Sequence, residues 1–132
     1  MNKAATVALV GIVDDDESVR NSINSLLRSA GYRTLMFESA EAFLESERFG
    51  DPDGLVLDVK MPGLSGIELQ RRLREMDCSV PIIFVTAHAD DEVRQAALAQ
   101  GAVAFFGKPF NDVKGGVKVS HRGGVKGDHL FA

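Results

Sequence analysis

The stretch that decides the fold runs GLVLDVKMPG over residues 54–63. Three consecutive apolar residues follow a glycine, and an acid and then a Pro-Gly pair come after them. A run this short, bounded by turn residues, is typical of a buried strand rather than of a helix. Asp58 then lies at the carboxyl end of that strand, which is the edge where open parallel sheets bind their ligands. We interpret Asp58 as the reactive group that the other candidate residues serve.

The composition indicates one ordinary globular domain. The chain has 132 residues, of which 45% are hydrophobic and 26% charged, enough for a real core. It contains no clean signal-peptide pattern and no apolar run near the roughly 20 residues of a spanning helix. Cys78 is the only cysteine and cannot form an internal disulfide, so we expect a cytoplasmic location and no membrane contact. The net charge of −4 gives no overall reason for direct nucleic-acid binding.

Short apolar runs alternate with helical patterns along most of the chain. The predicted strands cover residues 7–13, 33–37, 55–57, 82–85 and 102–106. Helix start signals lie between them: Ser39, Ser65 with Glu68 three residues later, and Asp90 or Asp91. Strands that alternate with single helices need right-handed crossovers, so the pattern predicts a parallel sheet in an α/β domain.

Each predicted helix has an apolar face that should pack on the sheet. These faces comprise Val19, Ile23, Leu26, Leu27 and Ala30; Ala40, Phe43 and Leu44; Leu69, Leu73 and Met76; and Val93, Ala97 and Leu98.

Four chemical features come at the predicted carboxyl ends of four strands. They are the acids Asp14 and Asp15, the acid Asp58, the hydroxyl of Thr86 and the amine of Lys108. In a parallel sheet these ends share one edge, so the features should meet in space. Clustered carboxylates suit Mg²⁺ or Mn²⁺, and a cation and a lysine beside an acid keep it a carboxylate nucleophile. A hydroxyl and an amine can donate to the oxygens of a transferring phosphoryl group.

These motifs resemble the CheY-like receiver domain of bacterial two-component response regulators. The matching pieces are Val13-Asp14-Asp15, Leu57-Asp58, Met61-Pro62-Gly63 with Gly66, Val85-Thr86-Ala87 and Lys108-Pro109-Phe110. They occur in the order and at the spacing of the family, over about residues 6–110. The segments FFGKPF (105–110) and SAEAFL (39–44) are most similar to receivers of the FixJ/NarL-like transcriptional regulators.

The resemblance implies a flavodoxin-like, doubly wound sheet of five parallel strands in the order 2-1-3-4-5. It implies that Asp58 accepts a phosphoryl group from a sensor histidine kinase in a Mg²⁺-dependent reaction. The ion would be held by Asp14, Asp15, Asp58 and the backbone carbonyl of Lys60. The domain would be a signalling switch, not an enzyme with a separate substrate.

The resemblance also assigns the switch. Lys108 would contact the phosphoryl group, and its peptide bond to Pro109 would be cis. Thr86 would move toward the phosphate, and Phe105 occupies the aromatic switch position of the family. Taken alone, an aromatic residue such as Phe105 is more often simply part of the core.

Residues 111–132 depart from the family, which normally ends in a fifth helix. Five glycines between 115 and 127 interrupt any helix there, at about 1 kcal/mol each relative to alanine. We therefore predict a receiver domain over residues 1–110 and an atypical Gly-rich, basic tail over 111–132, with the fifth helix missing or altered. The uncovered apolar face would favour a homodimer or exchange of an element between copies. A flexible tail that contacts an acidic partner is the alternative.

Two other functions are open at this point. Asp14-x-Asp16-x-Ser18 resembles the nucleophile loop of aspartate-dependent phosphohydrolases, in which Asp14 would be the nucleophile, but that function leaves Asp58 without a role. A phosphorylation-independent interaction module is the other.

Overall fold

A computed structural model describes residues 7–87 and 90–108. Strands and helices alternate strictly along them: β1 (Leu9–Val13), α1 (Glu17–Ser29), β2 (Arg33–Phe37), α2 (Ala40–Glu45), β3 (Gly54–Leu57), α3 (Gly66–Glu75), β4 (Ile82–Thr86), α4 (Asp91–Ala99) and β5 (Ala104–Gly107). The five strands form one parallel sheet in the order β2-β1-β3-β4-β5. The predicted flavodoxin-like sheet order is thus confirmed.

Side-chain caps fix where the helices begin. The hydroxyl of Ser39 accepts a hydrogen bond from Ala42 N at 2.9 Å, and Asp90 Oδ1 accepts one from Val93 N at 2.9 Å. Ser65 and Glu68 form the predicted reciprocal capping box. Such a cap contributes about 1 kcal/mol. Because its donor and acceptor are close together in the sequence, these helix starts could be predicted from local sequence.

The sheet is covered on both faces, as its apolar strands require. Alternate strand residues face two separate cores. One core joins Leu57 and Phe84 of the sheet to Phe43 of α2, Leu69 of α3 and Ala97 of α4. The other core joins the opposite face of the strands to α1, which packs there through Ile23 and Leu27. Asp58 follows β3, the strand in the middle of this covered sheet.

Several predicted boundaries and burials are wrong. β1 begins at Leu9, not at residue 7, and β5 is shifted to Ala104–Gly107 because Ala102 N bonds to Ala97 O and closes the turn after α4. Four residues predicted to be buried are exposed: Leu26, Ala30, Met76 and Leu98.

These exposed residues lie at the ends or sides of their helices. Ala30 and Met76 are C-cap residues, and Met76 is 53% exposed. Leu26 adjoins the buried Leu27, and Leu98 adjoins the buried Ala97. Both leucines nevertheless point away from the sheet: Leu26 is 39% exposed and Leu98 is 38% exposed. The helices therefore bury narrower stripes than their apolar patterns suggest.

Several predictions concern residues outside the described ranges. They are the cis peptide at Pro109, the Gly-rich tail, the missing fifth helix and the self-association expected from it. The boundary between residues 110 and 111 is likewise untested. Among the described residues, no helix is long and apolar enough to cross a membrane. The cytoplasmic location stays a prediction.

Candidate functional site

Backbone hydrogen bonds carry the ladder of the sheet one residue past the ends of three strands. Asp58 N donates to Val13 O at 3.0 Å, Asp14 N to Phe37 O at 3.2 Å, and Lys108 N to Thr86 O at 2.9 Å. The backbone amide of each of these three site residues is therefore bonded to the neighbouring strand. The sheet itself sets their relative positions.

The ammonium group of Lys108 lies between two carboxylates. Its Nζ is 3.0 Å from Asp14 Oδ2 and 3.2 Å from Asp58 Oδ2. Both carboxylates are buried, and the lysine side chain is only 15% exposed. Ion pairs removed from water in this way are screened less than surface pairs. The predicted meeting of residues 14, 58 and 108 is thus present in the structure.

The protonation of this cluster follows from burial and pairing. Burial raises the pKa of Asp14 above its usual value, and the hydrogen bonds from the Asp16 amide and Lys108 only partly oppose it. For Lys108, burial lowers the pKa, but the carboxylates of Asp14 and Asp58 outweigh this and leave the pKa above its usual value. Lys108 is therefore a charged donor at neutral pH.

Three carboxylates at this edge can share one cation. Oxygens of Asp14, Asp15 and Asp58 lie within 4.8 Å of one another. Asp14 and Asp58 are buried and Asp15 is exposed, so the cluster opens to solvent on one side. Mg²⁺ prefers this donor chemistry, a few carboxylates together with waters.

One carboxylate oxygen in the cluster is direct evidence for a cation-binding site. Asp58 Oδ1 is buried and has no hydrogen-bond partner among the described residues. A buried carboxylate oxygen without a partner costs free energy, and a divalent cation would satisfy it. The residues therefore fit a magnesium site. Lys60 is exposed in the loop after β3, and the use of its carbonyl stays a prediction.

The two predicted switch residues lie on neighbouring strands. Thr86 is fully buried at the end of β4. Phe105 of β5 pairs in register with Phe84, and their ring centroids are 6.0 Å apart, within the range of favourable aromatic pairs. Phe105 is half-buried and packs against the core that includes α4. This contact suits either a core residue or a switch, so the switch role stays a prediction.

Sequence reasoning missed why residue 66 must be glycine. A Cβ on Gly66 would overlap the backbone oxygen of Asp58 and would lie 3.0 Å from Phe84 Cε1. Gly66 N also donates to Val59 O at 2.8 Å. The start of α3 thus packs directly on the backbone of the candidate reactive residue. Besides its place in the motif that resembles the receiver family, the sequence signal is a glycine at the first position of a helix, where better helix formers are available.

Arg20 is a second residue that sequence reasoning missed, and it holds the backbone of Asp14. The guanidinium of Arg20, in the first turns of α1, donates to Asp14 O at 2.8 Å. This bond fixes the backbone of Asp14, whose carboxylate belongs to the candidate metal site. Nothing in the local sequence marks this arginine, because a basic residue on a helix is usually solvated.

Known proteins are similar to this chain in sequence and in fold. A family model described as "Response regulator receiver domain" matches residues 10–118. Nodulation protein W of Bradyrhizobium diazoefficiens is 43% identical over 110 residues, which is 83% of this chain and 48% of that protein. Transcriptional regulatory protein FixJ of the same organism is 42% identical over 101 residues, 76% of this chain and 49% of the relative.

Solved structures agree with this assignment. The crystal structure of FixJ-N superposes with a TM-score of 0.73 at 39% identity, covering 86% of this chain and 87% of that one. Chemotaxis protein CheY4 of Vibrio cholerae superposes with a TM-score of 0.72 at 30% identity, covering 80% and 89%. The chain spans about half the length of the curated relatives it matches. It belongs to the receiver-domain family of two-component response regulators.

Proposed function

We propose that the chain accepts a phosphoryl group on Asp58 from a phosphohistidine of a sensor histidine kinase, with a divalent cation bound, and switches conformation in response. The observation that carries this proposal is the environment of Asp58. Its carboxylate is buried, touches the ammonium group of Lys108 through Oδ2, and shares an oxygen-rich cluster with Asp14 and Asp15.

The transfer needs little covalent chemistry from the protein. One carboxylate oxygen of Asp58 gives an electron pair to phosphorus, and the P–N bond of the donor breaks with its pair returning to the imidazole nitrogen. The product is an acyl phosphate on Asp58 and a free histidine on the kinase. Positioning and neutralisation of charge provide most of the catalysis in such transfers.

The chain's own residues supply that positioning. The hydrogen bond from Asp58 N to Val13 O holds the nucleophile at the sheet edge. Lys108 already contacts Asp58 and can donate to a phosphoryl oxygen once that carboxylate is phosphorylated. A divalent cation, when bound by the three carboxylates, supplies further neutralisation of the charge on the phosphoryl oxygens.

The switch follows from the same contacts. Phosphorylation of Asp58 removes a carboxylate partner of Lys108 and adds phosphoryl oxygens to which the hydroxyl of Thr86 can donate. A shift of Thr86 changes the space beside β5, where Phe105 packs on Phe84. Phosphorylation would therefore bias a two-state equilibrium of α4 and β5. The domain acts as a signalling switch that catalyses its own modification, and control of transcription, as the printed name of FixJ indicates for that relative, is the proposed output.

A direct test uses the purified chain, Mg²⁺ and acetyl phosphate as a small phosphodonor. Intact-mass spectrometry should show one added phosphoryl group in wild type and in Asp51→Asn, a surface control whose acid pairs only with Arg48 in the described contacts. Asp58→Asn should gain none, and chelation of the metal should abolish the gain in wild type. An unmodified wild type would favour the phosphorylation-independent interaction module instead.

A further inference from the structure

The loop between β3 and α3 is held at its start by the sheet and at its end by Gly66, and a third contact holds it at Leu64, shortly before α3 begins. Glu41, the second residue of α2, accepts a hydrogen bond through Oε2 from Leu64 N at 2.7 Å. A bond from an amide to a carboxylate is charge-assisted and stronger than one between neutral groups. It joins α2 to the loop across 23 residues of sequence.

The neighbouring Gly63 is shaped around the same carboxylate. Its φ of +79° lies in the left-handed region that side chains rarely adopt. A Cβ at this position would also come within 2.5 Å of Glu41 Oε2. Conformation and space thus independently require glycine at residue 63, and the space is taken by Glu41.

This contact lies close in sequence to the groups that the proposed reaction uses. The loop begins with Asp58 and continues through Lys60, whose carbonyl is a proposed cation ligand. Met61 anchors the loop in the core, where it is 7% exposed. Beyond Met61 the chain must turn back to Ser65, and the Glu41 bond fixes the peptide at that turn.

We infer that Glu41 is a positioning residue for phosphoryl acceptance: by holding the Gly63–Leu64 peptide, its carboxylate keeps the Asp58 loop in the conformation that binds the cation and the phosphoryl group. The inference rests on the proposed function. Because the bond lies at the surface, it contributes little to global stability. Its effect is on the fraction of molecules whose loop is correctly placed, and apparent affinity falls in proportion to that fraction.

The test compares Glu41→Ala, which removes the acceptor, with Glu41→Gln, which keeps an acceptor oxygen without the charge. Glu45→Ala is the matched control, because it removes the same charge from an exposed position of the same helix. Three quantities are measured: the Mg²⁺ dissociation constant by calorimetry, the rate of phosphorylation by acetyl phosphate, and hydrogen exchange at the Leu64 amide.

Loss of one such hydrogen bond should raise the Mg²⁺ dissociation constant by up to about fivefold in Glu41→Ala, lower the phosphorylation rate by up to a similar factor, and speed Leu64 exchange about fivefold. Glu41→Gln should lie within about twofold of wild type, since the acceptor is retained. The melting temperature should change little in either variant, which a merely structural role would not predict.

Gly63→Ala gives an independent approach, since the added methyl group must displace the Glu41 carboxylate. It should weaken Mg²⁺ binding in the wild-type background and do so less in the Glu41→Ala background, where no carboxylate is in its way. This non-additivity is expected only if the two residues act through one contact.

The outcomes separate the inference from the proposed function. If wild type is phosphorylated and Glu41→Ala matches Glu45→Ala in all three measurements, the inference is wrong and the proposed function stands. Equal losses in Glu41→Ala and Glu41→Gln would overturn the hydrogen bond as the cause. If wild type neither binds Mg²⁺ nor is phosphorylated, both proposals fail.

Discussion

Replacement of Gly66 by alanine tests the packing of α3 on the reactive residue. The added Cβ would lie 3.0 Å from the Asp58 carbonyl carbon and 3.0 Å from Phe84 Cε1, with the Asp58 oxygen nearer still. Neither neighbour can swing away easily, because Asp58 is bonded to β1 through its amide and Phe84 is fully buried. The backbone of the proposed phosphoacceptor must therefore move.

Two effects of opposite sign set the magnitude. Helix propensity favours alanine over glycine by up to about 1 kcal/mol. Overpacking of a rigid site costs about 1–3 kcal/mol and occasionally more, and two rigid contacts put Gly66→Ala at the upper end. We expect the free energy of unfolding to fall by about 2 kcal/mol, which lowers the melting temperature by about 7 °C in a domain of this size.

The assay is urea denaturation followed by circular dichroism, with phosphorylation by acetyl phosphate as the second measurement. A shift of about 1 Å at Asp58 should slow phosphorylation about 100-fold. Gly50→Ala is the control, because nothing lies within 4 Å of a Cβ at that position, and its stability should be unchanged or up to about 1 kcal/mol higher. A Gly66→Ala protein at least as stable as wild type would contradict this expectation, because the cost of overpacking would then not exceed the gain from helix propensity.

Two further predictions concern stability. Asp77, just after α3, has a φ of +60°, so Asp77→Gly should raise the free energy of unfolding by about 0.5–1 kcal/mol, measured by urea denaturation; an unchanged or lower value would contradict this. The raised pKa of Asp14 means that its contribution to stability is full below pH 3.8 and is lost as the pH rises through its folded pKa. In metal-free buffer, the stability of Asp14→Asn relative to wild type should therefore rise as the pH increases above 3.8, and a difference that is constant with pH would count against the assignment.

The parts of the fold that depend on local chemistry could be predicted from sequence. The caps at Ser39 and Asp90 use neighbouring side chains and backbone, so four residues contain the whole signal. The edge shared by residues 14, 58 and 108 followed from topology, because parallel strands end on one side.

The remaining features depend on distances that sequence does not encode. The width of a buried helix face depends on the surface it meets, which is why Leu98 was predicted to be buried and is exposed. The contact from Glu41 to Leu64 and the close approach of Gly66 to Asp58 arise only after separate elements dock. Their residue types are compatible with many other positions.

The proposed function requires that Asp58, and no other acid of the cluster, becomes phosphorylated. Borohydride reduces an acyl phosphate to the alcohol, so a phosphorylated aspartate becomes homoserine. After incubation with acetyl phosphate and Mg²⁺, reduction and peptide mapping should locate homoserine at Asp58 alone. Homoserine at Asp14 would indicate the phosphohydrolase-like reaction instead, and its absence from every peptide would contradict the proposed function.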